Sequence, residues 1–253
     1  MLPGLAAPTG ALPEPRMPRS HTRAQPEPPD LERNVAEFFD GWRAARDPGA
    51  DLRVERTLGS ADPRLYAVIQ RVASEGGPLR FRPSNAASHF DALARSVVYQ
   101  QLSKSAAATI YARYVHALGG VPSAEEVARA TPYRLRRAGL SAPKVRYLQA
   151  LAAAVVSGQI ELEQLAQLSD DAVIAELTCL PGIGIWTAQM FLMFRLHRPD
   201  VLPLHDAGVQ RGLQLAHGLN RTPAPRDVER AGLRWTPHRS IASLYLWAAV
   251  ETT

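Results

Sequence analysis

Leu180-Pro181-Gly182-Ile183-Gly184-Ile185-Trp186-Thr187-Ala188, followed by Asp200-Val201-Leu202-Pro203-Leu204-His205-Asp206, is the stretch around which the chain can be read. Before it, residues 172–180 read as a short helix with Val173, Ile174, Leu177 and Leu180 apolar; after it, residues 185–196 read as a second. Pro181 stops the first helix, and Gly182 and Gly184 permit backbone angles closed to other residues. A turn without side chains lets another backbone come close. The N–H groups opening the second helix then face outward as an anion site, for which a phosphodiester is the obvious ligand. Taken alone, Pro-Gly-x-Gly reads first as a tight helix–helix turn.

The turn does not stand alone. Leu-Pro-Gly-Ile-Gly-x-Trp-Thr-Ala, with an aspartate twenty residues on from Trp186 in a Pro-x-x-Asp-x-Gly setting, resembles the helix-hairpin-helix DNA glycosylases. Within them it is most similar to the 3-methyladenine DNA glycosylase II branch, over about residues 62–247. The resemblance implies an all-α fold with two helical subdomains flanking a DNA-binding cleft, and excision of alkylated bases from double-stranded DNA. Larger bacterial relatives carry an N-terminal mixed α/β domain; the 61 residues before Asp62 are too few for it, so the compact form is expected.

Composition agrees with this. A chain of 253 residues makes one large domain or two small ones. Lys+Arg total 29 against 24 Asp+Glu, a net charge of +5 and a pI near 9.7, which suits a polyanionic partner. Nearly all of that charge is arginine, Lys104 and Lys144 being the only lysines, so no single arginine is a strong signal. Cys179 is the only cysteine. No iron–sulfur cluster and no disulfide framework can be built, and a buried, hydrophobe-like Cys179 is expected. Relatives of the endonuclease III type usually carry a four-cysteine cluster after the catalytic aspartate, which this chain lacks. No secretory signal and no run long enough to cross a membrane is visible, and a monomer in the cytoplasm of a bacterium, associated with the nucleoid, is expected.

Residues 1–30, rich in Pro, Ala and Gly, read as a disordered tail, with Met17 an alternative start. A helix is expected over residues 30–45, irregular chain or a short strand over 54–58, and further helices over 62–75, 88–101, 103–118, 123–130, 131–139, 143–156, 207–217, 226–232 and 239–250. Residues 31–90 with 206–253 are expected to form one subdomain, packed on the helical bundle of 91–205. Almost nothing alternates with period two, hence the all-α expectation.

Each candidate site residue has a plain reading beside the functional one. Gln100-Gln101-Leu102-Ser103 is a polar helix end with Ser103 as N-cap; it also resembles the family's turn, in which Leu102 would enter the duplex where a base has left, with Gln101 beside it. Residues 129–146 hold six basic side chains and no acid, a solvated face or a phosphate track, the resemblance favouring Lys144. By resemblance, amides at Gly182 and Gly184 would hold phosphate, and the carbonyls of Thr178, Leu180 and Ile183 would hold a Na+ or K+ ion; no other cofactor is implied. Trp186 stands where strand-cleaving relatives carry a lysine for a Schiff base, so a monofunctional enzyme is expected. Trp186, Trp235 and Tyr99 read as core or as the aromatic lining of a base pocket, and the pocket is the expectation; Trp247 reads as core. Asp206 reads as the N-cap of the next helix and, by resemblance, as the catalytic carboxylate, two roles that are compatible. Asp200 matches a structural aspartate. His205 departs from the family, whose members often carry an acid there. The rival readings are a helix-hairpin-helix glycosylase for another lesion and a non-catalytic DNA-binding protein.

Overall fold

The computed structural model describes residues 44–81 and 86–251. A two-stranded antiparallel ribbon, β1 (Ala44–Arg46) and β2 (Leu79–Phe81), pairs Ala45 with Arg80. The last two residues of the helix expected over 30–45 thus lie in a strand; the rest of it, and the tail over 1–30, fall outside the described residues. Helix α1 (Arg53–Ala61) replaces the irregular chain or short strand expected over 54–58. Its inward face carries Leu58 together with Glu55, a buried acid that broke the apolar pattern. Glu55 accepts hydrogen bonds from Arg80 and from the Tyr245 hydroxyl at 2.9 Å, which satisfy its charge.

Helix α2 (Pro63–Ser74) begins as expected. Asp62 accepts from the N–H groups of Arg64 and Leu65 at 3.2 and 3.1 Å, Pro63 takes the first turn, and Leu65, Val68, Ile69 and Val72 are buried. The same logic opens α3 (His89–Tyr99) at Ser88, α4 (Lys104–Leu118) at Ser103 and α5 (Ala124–Arg129) at the Ser123–Glu126 capping box. It opens α6 (Pro132–Arg137) at Thr131, α7 (Ala142–Val156) at Ser141 and α8 (Asp170–Thr178) at Ser169. A 3-10 turn at Leu162–Gln167, too short to show a period, joins α7 to α8. After the glycine turn come α9 (Ile185–Phe194), α10 (Ala207–His217), α11 (Pro225–Gly232), a 3-10 turn (Leu233–Trp235) and α12 (Arg239–Glu251).

The helices contact one another in two groups: α3 to α9 form one, and α1, α2 and α10 to α12 with the ribbon form the other. Helix α9, in the first group, packs on α8 and α3. Ala188, Met190, Phe191, Leu192, Met193 and Phe194 are all buried, so it is apolar around its circumference rather than along one stripe. Phe194 reaches the second group, stacking on Trp247 at 6.1 Å between ring centroids and meeting the edge of Phe81 at 5.4 Å. Within the second group α10 and α12 touch backbone to backbone: a Cβ on Gly212 would stand 2.0 Å from the Leu246 carbonyl oxygen. Cys179, expected inside, is exposed at the end of α8, because the buried stripe is Val173, Leu177 and Leu180 and position 179 falls off it. No helix of the described residues is long and apolar enough to cross a membrane.

Candidate catalytic and DNA-binding site

Asp206 lies at the seam between the two groups. It caps α10, its Oδ1 accepting the Val209 N–H at 2.8 Å. The same oxygen accepts the indole N–H of Trp247 at 2.8 Å, and Oδ2 accepts that of Trp186 at 2.7 Å. Trp186 belongs to α9 in one group and Trp247 to α12 in the other. The carboxylate is only 3% exposed, a placement a charge tolerates because three N–H donors and a helix N-terminus balance it. Two carboxylate oxygens offer about four acceptor positions, so room remains for one more donor. Trp247 is buried, as a core residue should be, and also serves as the second anchor of Asp206, a role that spacing alone did not reveal.

Trp235, expected beside the base, is instead a core residue. It is 1% exposed and its indole donates to Asp62 Oδ2 at 3.0 Å. His217, the last residue of α10, places Nε2 3.0 Å from the same oxygen. Burial alone would raise the Asp62 pKa, but the His217 and Leu65 bonds, with that of Trp235, bring it down to about 2. Asp62 and Asp206 are thus parallel constructions, each capping a helix and each held by an indole. Tyr99 is half-buried at the end of α3, its ring meeting that of Tyr111 edge-on at 6.2 Å under the Arg95 guanidinium at 5.2 Å. Asp200 is spoken for: Arg239 grips it with Nε at 2.8 Å and a terminal nitrogen at 2.9 Å. His205 is exposed.

The glycine turn and the Gln-Gln-Leu turn lie together. Gln100 Nε2 donates to the Gly182 carbonyl at 2.9 Å. Gln101 is exposed with φ of 57°, a left-handed conformation, and Leu102 is half-exposed beside it. Gly182, with φ of 84°, packs so closely on Tyr147 that a Cβ would stand 2.3 Å from its ring; Gly184 faces open space. No side chain caps α9, and Ile185 at its start is 55% exposed, so its first turn presents amides to solvent. Lys144, expected on a phosphate, turns inward. Its Nζ donates to the carbonyls of Val98 and Gln100 at 2.7 and 2.6 Å, and burial lowers its pKa to about 8. Of the carbonyls assigned to a cation, that of Leu180 accepts the Ile183 N–H at 3.1 Å.

A glycine turn opening an uncapped helix start on one side and a buried, donor-ringed carboxylate on the other agree with the class of helix-hairpin-helix DNA-repair proteins. Residues 94–238 match the HhH-GPD superfamily of base excision DNA repair proteins, and the chain belongs to that superfamily. Its fold superposes on the crystal structure of a DNA-3-methyladenine glycosidase from Bacillus halodurans with a TM-score of 0.72, at 35% identity, over 80% of this chain and 91% of that one. Mag1, the 3-methyladenine DNA glycosylase of Schizosaccharomyces pombe solved with abasic DNA, gives a TM-score of 0.66 at 31% identity, over 77% of this chain and 95% of Mag1. YfjP of Bacillus subtilis is 33% identical over 171 residues, 65% of this chain; the match spans 60% of YfjP, less than two thirds of its length.

Proposed function

We propose that this chain is a monofunctional DNA glycosylase that excises alkylated bases of the 3-methyladenine type from double-stranded DNA, opening base excision repair. The observation that carries the reading is Asp206, a buried carboxylate at a helix start in the position that the superfamily's pattern assigns to catalysis. Breaking the N-glycosidic bond builds positive charge on the sugar. A carboxylate fixed by Val209, Trp186 and Trp247 needs no reorganisation to oppose that charge, and its remaining acceptor position orients the attacking water. Trp186, half-buried at the seam, stacks on the extruded base, and a cationic alkylated base stacks more strongly than a neutral one.

The hairpin amides at Gly182 and Gly184 hold a phosphate without reading sequence, while Leu102 fills the space the base leaves and Gln101 contacts the neighbouring bases. The carbonyls of Thr178, Leu180 and Ile183, hard oxygen donors of which the first closes α8, would hold a monovalent cation, which would supply positive charge beside the phosphate. With tryptophan at position 186 there is no amine to form an imine, so the product is an intact strand with an abasic site. The enzyme acts as a monomer. A panel of duplexes, each with one lesion, tests the reading: free 3-methyladenine should appear, with the strand left whole. Failure to release any alkylated base from the panel refutes it.

A further inference from the structure

We propose that Lys144 and Gln100 form a tie that fixes the Leu102 turn to the phosphate-binding hairpin, making Lys144 a positioning residue for base extrusion rather than a phosphate ligand. The inference rests on the reading of Leu102 as the wedge. Helix α3 ends at Tyr99, and the last carbonyls of a helix have no N–H partner of their own. The Lys144 ammonium, from the first turn of α7, docks on two of the carbonyls there, Val98 at 2.7 Å and Gln100 at 2.6 Å, at the negative end of α3. The next residue, Gln101, holds φ of 57°, which a glutamine keeps only when its surroundings impose it. Leu102 follows directly.

The side chain of Gln100 runs the other way and donates to the Gly182 carbonyl at 2.9 Å. Gly182 in turn lies against the ring of Tyr147, three residues after Lys144 on the same face of α7. One helix therefore holds both DNA-facing turns, the wedge turn through Lys144 and the hairpin through Tyr147, and Gln100 joins the two directly. The distance between the bound phosphate and the inserted leucine is set before DNA arrives, so insertion costs less ordering. A lysine committed to phosphate would keep its amine in water; this one is half-buried on carbonyls.

Lys144→Met, Gln100→Ala and Leu102→Ala, alone and combined, test the tie by single-turnover excision from a paired and from a bulged lesion. Binding to undamaged duplex as a function of salt is measured alongside. The expected result for Lys144→Met is a loss of about tenfold or more on the paired lesion and little on the bulged one, where extrusion is cheap. Adding Leu102→Ala should bring no further loss on the paired lesion, since both changes disable one device. The salt dependence of binding should keep its slope. Equal losses on both lesions, a slope lowered by about one, or losses that multiply with those of Leu102→Ala would overturn the tie. If Lys144→Met does not fold, Gln100→Ala, which removes a single amide bond, must show the same split between paired and bulged lesions; its absence would also overturn it. Leu102→Ala distinguishes the two levels: if it loses equally on both lesions, the wedge reading itself falls, whereas a split in Leu102→Ala without one in Lys144→Met defeats the tie alone.

Discussion

Asp206→Asn removes a charge and also misplaces a donor, and the geometry separates the two effects. Oδ1 receives two N–H groups, from Val209 and Trp247, and Oδ2 receives one, from Trp186. An asparagine keeps the better-bonded oxygen and turns its NH2 toward the Trp186 indole, setting donor against donor in a buried site. Leaving a buried donor unsatisfied costs about 1–3 kcal/mol, and in a domain of this size each kcal/mol moves the melting temperature by about 2–4 °C. A fall of roughly 2–12 °C in Tm is therefore expected. Excision should fall further, by about two to three orders of magnitude, because the charge opposite the developing oxocarbenium is gone. Binding to duplex should stay near wild type, the hairpin and the wedge turn being untouched. Adding Trp186→Phe to Asp206→Asn removes the opposing donor and should restore much of the lost Tm with no recovery of activity. Calorimetry and single-turnover excision of 3-methyladenine measure the two effects apart. Excision by Asp206→Asn within tenfold of wild type would refute the catalytic assignment; an unchanged Tm would refute the donor clash.

The absence of an amine at position 186 predicts that borohydride traps no protein–DNA adduct and that strand breaks appear only after alkali; a trapped complex would overturn the monofunctional reading. Gly184→Val meets open space and needs no left-handed backbone, so it should fold with near-normal Tm yet weaken binding to damaged and undamaged duplex alike. Gly182→Ala, strained at φ of 84° and pressed into Tyr147, should lose stability as well. The carboxyl of Asp62 is held at about 2 in the fold, below the ordinary aspartate range, so the stability it contributes is present above about pH 4 and is lost as pH falls toward 2. That loss, about 2 kcal/mol, should be missing from the acid unfolding curve of Asp62→Asn; identical acid limbs for the two proteins would refute it.

The helix starts were legible because capping is local chemistry: Asp62-Pro63, Ser88, Ser103, Ser123, Thr131 and Asp206 each announce a helix through one short side chain. The hairpin was legible for the same reason, through Pro181, Gly182 and Gly184. Contacts between distant segments were not. Glu55 hid α1 because a buried acid looks like an exposed one until Arg80 and Tyr245 are brought to it. The inward turn of Lys144 depends on where α3 ends relative to α7, which no spacing encodes. Trp235 and Trp247 show the limit most directly: both are tryptophans near the C-terminus, and only the fold decides that the first meets Asp62 and the second Asp206.

The two indoles on Asp206 come from opposite halves of the molecule, which gives one carboxylate a mechanical duty. It is the keystone across the seam: a hydrogen bond of 2.7 or 2.8 Å fades once stretched toward about 3.5 Å, so the halves cannot part there without stripping the negative charge of its partners. A sugar that draws on the same oxygen as Trp186 competes with cohesion itself. Under the proposed chemistry, substitution at this position is therefore closed from two sides, since a residue that spared the joint but dropped the charge would lose the proposed catalysis, and one that kept the charge at a different reach would loosen the joint.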